Sequence, residues 1–127
     1  MAIEWTDELS VGHADIDHDH RETIDRIQDL VEAVDDESFK RLFSDFAEHL
    51  RIHFEMEQTL MKDNGFFAQV PHTKEHQRVL GGIDSLLKQN DVGDLNAARQ
   101  YIEFDFPEWF LAHRATMDKV TADFLAG

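Results

Sequence analysis

Four stretches of this chain repeat apolar residues at intervals of three and four, and each also carries side chains that bind metals. His20 lies in the first, His53 and Glu57 in the second, His72 and His76 in the third, and His113 and Asp118 in the fourth. A three-to-four rhythm is the stripe of an amphipathic helix. The chain is therefore expected to be all-α, and four helices with short connections favour an up-down-up-down bundle. Five imidazoles and two carboxylates drawn from all four helices supply enough ligands for two metal ions within one small bundle.

The 127 residues are expected to form one domain, with residues 1–17 as an N-terminal arm and 18–124 as the bundle. In the arm Trp5, Val11 and Ile16 are isolated apolar points that would anchor it against a core. The first helix is expected over about 18–35, with Ile24, Ile27, Leu30, Val31 and Val34 as its stripe. The second carries Phe39, Leu42, Phe43, Phe46, Leu50, Phe54, Leu60 and Met61 and stops near Asn64-Gly65. Pro71 suits the first turn of a third helix ending by Asn90. Gly81-Gly82 inside that helix costs about 2 kcal/mol of propensity, which predicts close packing there against a neighbour. A fourth run from Leu95 to Phe124 contains Pro107, which removes a backbone donor and predicts a kink or break over 103–107.

Spacing then bears on the chemistry. His53 and Glu57, like His72 and His76, are four residues apart, about 40° in azimuth on a helix, so each pair can face one interior point. His113 and Asp118 are five apart, about 140° out of phase on a regular helix. Aiming both inward predicts a local widening such as a π-bulge between them. Two six-coordinate ions need twelve positions; five histidines, two bridging carboxylates and one bridging oxygen fill eleven. One position stays open to a small exogenous ligand.

Composition narrows the chemistry. With no cysteine there is no thiolate site, iron–sulfur cluster, cysteine nucleophile or disulfide, so imidazole and carboxylate carry any metal chemistry. A formal charge of -15, from 27 acidic and 12 basic residues, argues against nucleic acid and anionic membrane surfaces as partners. The opening MAIEWTDELS lacks a signal-peptide pattern and no apolar run is long enough for a membrane span, which gives a cytoplasmic expectation.

These residues resemble a known family. Ile16-Asp17-His18-Asp19-His20, His53-Phe54-x-x-Glu57, His72-x-x-x-His76 and Trp109-x-x-x-His113-x-x-x-x-Asp118 are similar, in order and spacing, to the four motifs of hemerythrin in its single-domain bacterial form. The resemblance runs from Trp5 to about Val120. It implies a non-haem centre of two iron ions with a bridging oxo or hydroxo group. His72, His76 and His113 would hold one iron and His20 and His53 the other, with Glu57 and Asp118 bridging them. It further implies reversible binding of dioxygen at the two-histidine iron, for carriage, storage or sensing. Phe54 and Trp109 match family pocket positions, whereas Thr23 and Ala115 stand where oxygen carriers usually place bulky aliphatics, which implies a wider, wetter pocket. Such a pocket opens two alternatives, an enzyme acting on peroxide or nitric oxide and an iron or redox sensor. Gln58, where the family often has a second acid, is expected to cost little metal binding.

Several other residues have plainer readings. His49 precedes His53 by one turn and is assigned a supporting or surface role, and His13 and His18 are assigned to the arm or the solvent. Asp15, Asp17 and Asp19 imitate the opening of a calcium loop, but His20 replaces its glycine and Arg26 its final glutamate. The Glu-x-x-His pairs of ferritin-like di-iron proteins and the His-Glu-x-x-His of zinc proteases are absent.

Overall fold

The computed structural model describes residues 3–127; Met1 and Ala2 of the expected arm lie outside the described residues. Helix α1 spans Ala14–Glu32, α2 Asp36–Asp63 and α3 Gln69–Asp91. A fourth rod, residues 96–125, is built from α4 (Asn96–Gln100), a π-helical segment Tyr101–Asp105, α5 (Phe106–His113), a second π segment Arg114–Asp118, and α6 (Lys119–Leu125). α2 packs on α1 and α3, and the fourth rod closes the bundle against α1 and α3. The expected four-helix architecture is the observed one.

Two boundaries differ from the pattern-based expectation, and capping explains both. α1 begins at Ala14, four residues early, because the His13 imidazole accepts a hydrogen bond from the Ile16 amide at 3.3 Å. Asp17 ties the arm to that first turn, its carboxylate accepting from the Val11 amide at 2.8 Å. The same helix stops at Glu32 because Asp35 caps α2, accepting from the Ser38 amide at 2.9 Å. Val34 consequently sits in the link and is exposed. At the other end of α2, Gly65 takes φ +64, the left-handed conformation that ends a helix most easily when no side chain is present.

Pro107 does not break the fourth rod. The π segment Tyr101–Asp105 immediately precedes it, and the proline falls in the first turn of α5, where its missing donor is least costly. The expectation for Gly81-Gly82 is overturned: both face solvent, and a Cβ built at either meets nothing within 4 Å. These glycines accommodate no neighbour and only weaken α3. Gly82→Ala is therefore expected to stabilise the protein by roughly 1 kcal/mol, read as a raised urea midpoint; an unchanged or lower midpoint would contradict it.

The bundle has two storeys. In one, Phe39, Phe43, Phe46 and Leu50 line the inner face of α2 and meet Phe106, whose ring stands edge-on to Phe46 at 5.0 Å, with Ile24, Ile27, Leu30 and Ile83 completing the core. The arm covers this storey through Ile3, Trp5 and Leu9. Gln28 donates to the Ile3 carbonyl at 2.8 Å, and the Arg21 guanidinium lies 4.8 Å above the Trp5 ring. In the other storey the same inward faces carry histidines and acids.

Candidate metal centre

All seven residues singled out by spacing converge there, each between 0% and 6% exposed. α1 delivers His20, α2 delivers His53 and Glu57 from successive turns, and α3 delivers His72 and His76 likewise. His113 ends α5, and the second π segment carries the chain on to Asp118, the widening that their five-residue separation requires. The donor atoms form two groups, within each of which they lie within 4.8 Å of one another: Glu57, His72, His76, His113 and Asp118, and His20, His53, Glu57 and Asp118.

The two carboxylates belong to both groups, and each divides its oxygens between them. Asp118 Oδ1 lies 3.0 Å from the Nε2 atoms of both His72 and His113, while its Oδ2 lies 2.9 Å from His20 Nε2. Glu57 Oε1 is 3.2 Å from His76 Nε2, and its Oε2 is 3.4 Å from His53 Nε2. Several of these approaches lack hydrogen-bond alignment. Both Glu57 oxygens, His20 Nε2 and His76 Nε2 are buried without a hydrogen-bond partner. Such orphaned groups are costly in a folded protein, and a cation in each donor group would satisfy all four.

The protonation states point the same way. Burial and the neighbouring Asp118 raise the Glu57 carboxyl well above the usual range. Burial also acts to raise Asp118, but the close approach of the His113, His20 and His72 imidazoles outweighs it and holds that carboxyl well below. Burial, reinforced by His72 and His113, pushes His76 down to about 2. Neutral imidazoles beside a crowded carboxylate pair are the forms a cation takes as ligands.

These shifts give the metal-free protein a pH dependence. His76, His53 and His49 are all lowered, burial being the largest cause for each. An unfolded chain protonates them near about 6.5. Each therefore contributes stability that is present above that pH and lost as pH falls below it. Glu57, being raised, works in the opposite sense, while Asp118 and Asp19 are lowered and act only below the ordinary aspartate range. Three imidazoles against one carboxyl leave a net loss over the interval just below pH ~6.5, on the order of 1.4 kcal/mol per pH unit for each net proton. Urea midpoints of chelator-treated protein should fall across that interval; a flat or rising series would contradict the assignment.

Aromatic rings wall the cluster. Phe54 lies flat on His76 with centroids 3.9 Å apart, Trp109 lies on His113 at 4.5 Å, and Phe110 stands edge-on to His20 at 5.2 Å. Phe54 and Trp109 thus cover the three-histidine group, and Phe110 the two-histidine group. Phe110 is not singled out by the sequence motifs, although it lies one turn before His113 on the same helix face. Thr23 is fully buried, and its hydroxyl donates to the Asp19 carbonyl at 2.8 Å and meets His49 Nε2 at 2.9 Å. Ala115 is a correction: it faces solvent, being two residues beyond an inward His113, roughly 200° round a helix and so on the far side. A wider pocket cannot be argued from Ala115.

Beyond the donors, His53 Nδ1 lies 3.0 Å from the Asp19 carboxylate, His72 Nδ1 2.9 Å from the Thr121 hydroxyl and His76 Nδ1 3.5 Å from the Gln58 amide. His49 belongs to neither donor group and stacks parallel to His53 at 6.4 Å. His18 is exposed beside Glu22, Asp17 is engaged by the arm and Asp19 faces His53, so the three aspartates of the calcium-like opening do not converge.

The family model described as the hemerythrin HHE cation binding domain matches residues 11–125. The chain belongs to the hemerythrin family. Among bacterial relatives, the bacteriohemerythrin of Ralstonia nicotianae is 27% identical over 124 residues, which is 98% of this chain and 89% of the relative. That of Pseudomonas aeruginosa is 26% identical over 97 residues, 71% of this chain and 63% of the relative. A crystal structure of wild-type hemerythrin superposes with a TM-score of 0.91 over the whole of both chains at 19% identity, a likeness of fold. In this hemerythrin no helix among the described residues is long and apolar enough to cross a membrane.

Proposed function

We propose that the chain holds two iron ions bridged by Glu57, Asp118 and an oxo or hydroxo group, and that it binds dioxygen reversibly. The observation that carries this reading is the division of each carboxylate between the two donor groups, Oδ1 from Oδ2 in Asp118 and Oε1 from Oε2 in Glu57. With a shared oxygen added, His72, His76, His113 and the carboxylates complete six positions, whereas His20, His53 and the carboxylates reach five. The open position would then belong to the His20 and His53 side, where Phe110 packs against His20. Two ferrous ions so placed would supply the two electrons on which reversible dioxygen binding draws.

The chain's own residues supply the rest. With cations bound, Glu57 and Asp118 would bring negative charge to a site from which solvent is excluded, and His53 and His76, whose protonation burial opposes, would meet the metal as neutral donors. Phe110, Phe54 and Trp109 keep water and its protons from the cluster. Metal analysis followed by anaerobic oxygen titration of the reduced protein tests the reading. Two irons per chain, and a visible charge-transfer band that appears with oxygen and disappears on its removal, are expected. Zinc or a single ion would overturn the centre, and irreversible bleaching with turnover of peroxide or nitric oxide would replace carriage with catalysis.

A further inference from the structure

The two donor groups differ in what stands behind their imidazoles. His72 Nδ1 meets the Thr121 hydroxyl, which already donates to the Met117 carbonyl at 2.8 Å and so has a lone pair free to accept. His76 Nδ1 faces the Gln58 amide. Both partners are neutral. His53 Nδ1 instead meets the carboxylate of Asp19 at 3.0 Å, and His20 Nδ1 has no hydrogen-bond partner at all. Of the three imidazoles whose Nδ1 meets a side chain, the one that meets a carboxylate therefore lies on the two-histidine side.

Asp19 is built to keep that charge. Its side chain is 23% exposed and lines an acidic groove between α1 and α2 with a volume of about 630 Å³, so the carboxylate is open to solvent on the side away from His53. Its backbone is fixed independently: the Asp19 carbonyl accepts from the Thr23 hydroxyl at 2.8 Å and lies 3.2 Å from His49 Nε2. Position and charge are thus set by different atoms of the same residue.

Resting on the di-iron reading above, we propose that Asp19 is a positioning residue that makes the ion held by His20 and His53 the more easily oxidised of the two. When His53 binds a metal through Nε2, its proton resides on Nδ1 and is donated to Asp19 Oδ2. An anionic acceptor draws that proton and strengthens the imidazole as a donor. The higher oxidation state gains most from a stronger donor and from one more negative charge nearby. The electron-rich ion is then the one with the vacancy, where an incoming ligand must draw electrons out.

Asp19→Asn keeps the shape and an acceptor oxygen while removing the charge, and Asp19→Glu keeps the charge. The potential of the iron-loaded protein is read by redox titration, and zinc affinity of the metal-free protein by chelator competition. Asp19→Asn is expected to raise the potential of one ion by at least a tenfold change in its oxidation equilibrium, about 59 mV for a one-electron couple. It should also weaken zinc at one of the two sites by about 10-fold to 100-fold. Asp19→Glu should restore most of both. Thr121→Val, which removes a neutral partner, should leave the oxidation equilibrium within a few-fold of the parent's. A parent that binds two irons while Asp19→Asn keeps its potential, or while Thr121→Val shifts it equally, overturns the proposal and leaves the di-iron reading standing. A parent that binds no iron removes both.

Discussion

A Glu57→Leu protein is expected to lose its paired metal ions and yet, stripped of metal, to withstand more urea than the metal-free parent. The Glu57 carboxyl is completely buried, both its oxygens lack hydrogen-bond partners, and Asp118 opposes its ionisation. Without a cation it is a desolvated polar group with nothing to offset it, and an apolar side chain of similar size removes that cost. Replacing buried ionic groups by well-packed apolar ones is typically neutral or stabilising by about 1–4 kcal/mol. With the cation, Glu57 contributes an oxygen to each donor group, so its loss weakens both sites together. Iron content and the urea midpoint of the metal-free forms check the two halves. A variant that retained two irons, or a metal-free variant less stable than its parent, would remove the view that function is maintained here at the expense of stability.

Phe106→Ala carries the largest expected loss of stability, about 3–5 kcal/mol. Its ring is fully buried where the two storeys meet, with centroids 5.0 Å from Phe46, 5.6 Å from Trp109 and 6.0 Å from Phe110. A cavity at that point withdraws support from the rings that cover both donor groups. Calorimetry should show a lowered melting temperature, and a chelator should extract metal faster than from the parent. A loss under 1 kcal/mol, roughly the cost of a surface change, would show that the neighbouring rings collapse into the gap.

The site was more legible in the sequence than the helix ends were. Seven donors could be read because helical geometry converts spacing into direction, and the His113–Asp118 interval was informative because it did not fit: only a widened helix aims both inward, and Arg114–Asp118 is one. The start of α1 was hidden because its cap is an imidazole, outside the Ser, Thr, Asp and Asn that usually mark a helix N-terminus. Gly81-Gly82 misled because glycine's propensity cost is visible in sequence, whereas its neighbours are not. Asp19 and Thr121 were missed as partners of His53 and His72 because those contacts join positions 34 and 49 residues apart, beyond any local pattern. Phe110 could have been found from its place one turn before His113. Ala115 could have been set aside by the same angular argument.

The second π segment also ties the register of the fourth rod to its hydrogen-bonding pattern. It absorbs one extra residue, so excising a single amino acid between His113 and Asp118 would leave them four apart, about 40° on a plain α-helix, and still able to face one interior point. Closing the widening with every residue kept would instead swing the side chains that follow by about 100°, taking Asp118 from the interior and Thr121 from His72. A one-residue deletion in this stretch should therefore be tolerated better than an insertion, because the wide turn already carries the one surplus residue it can hold.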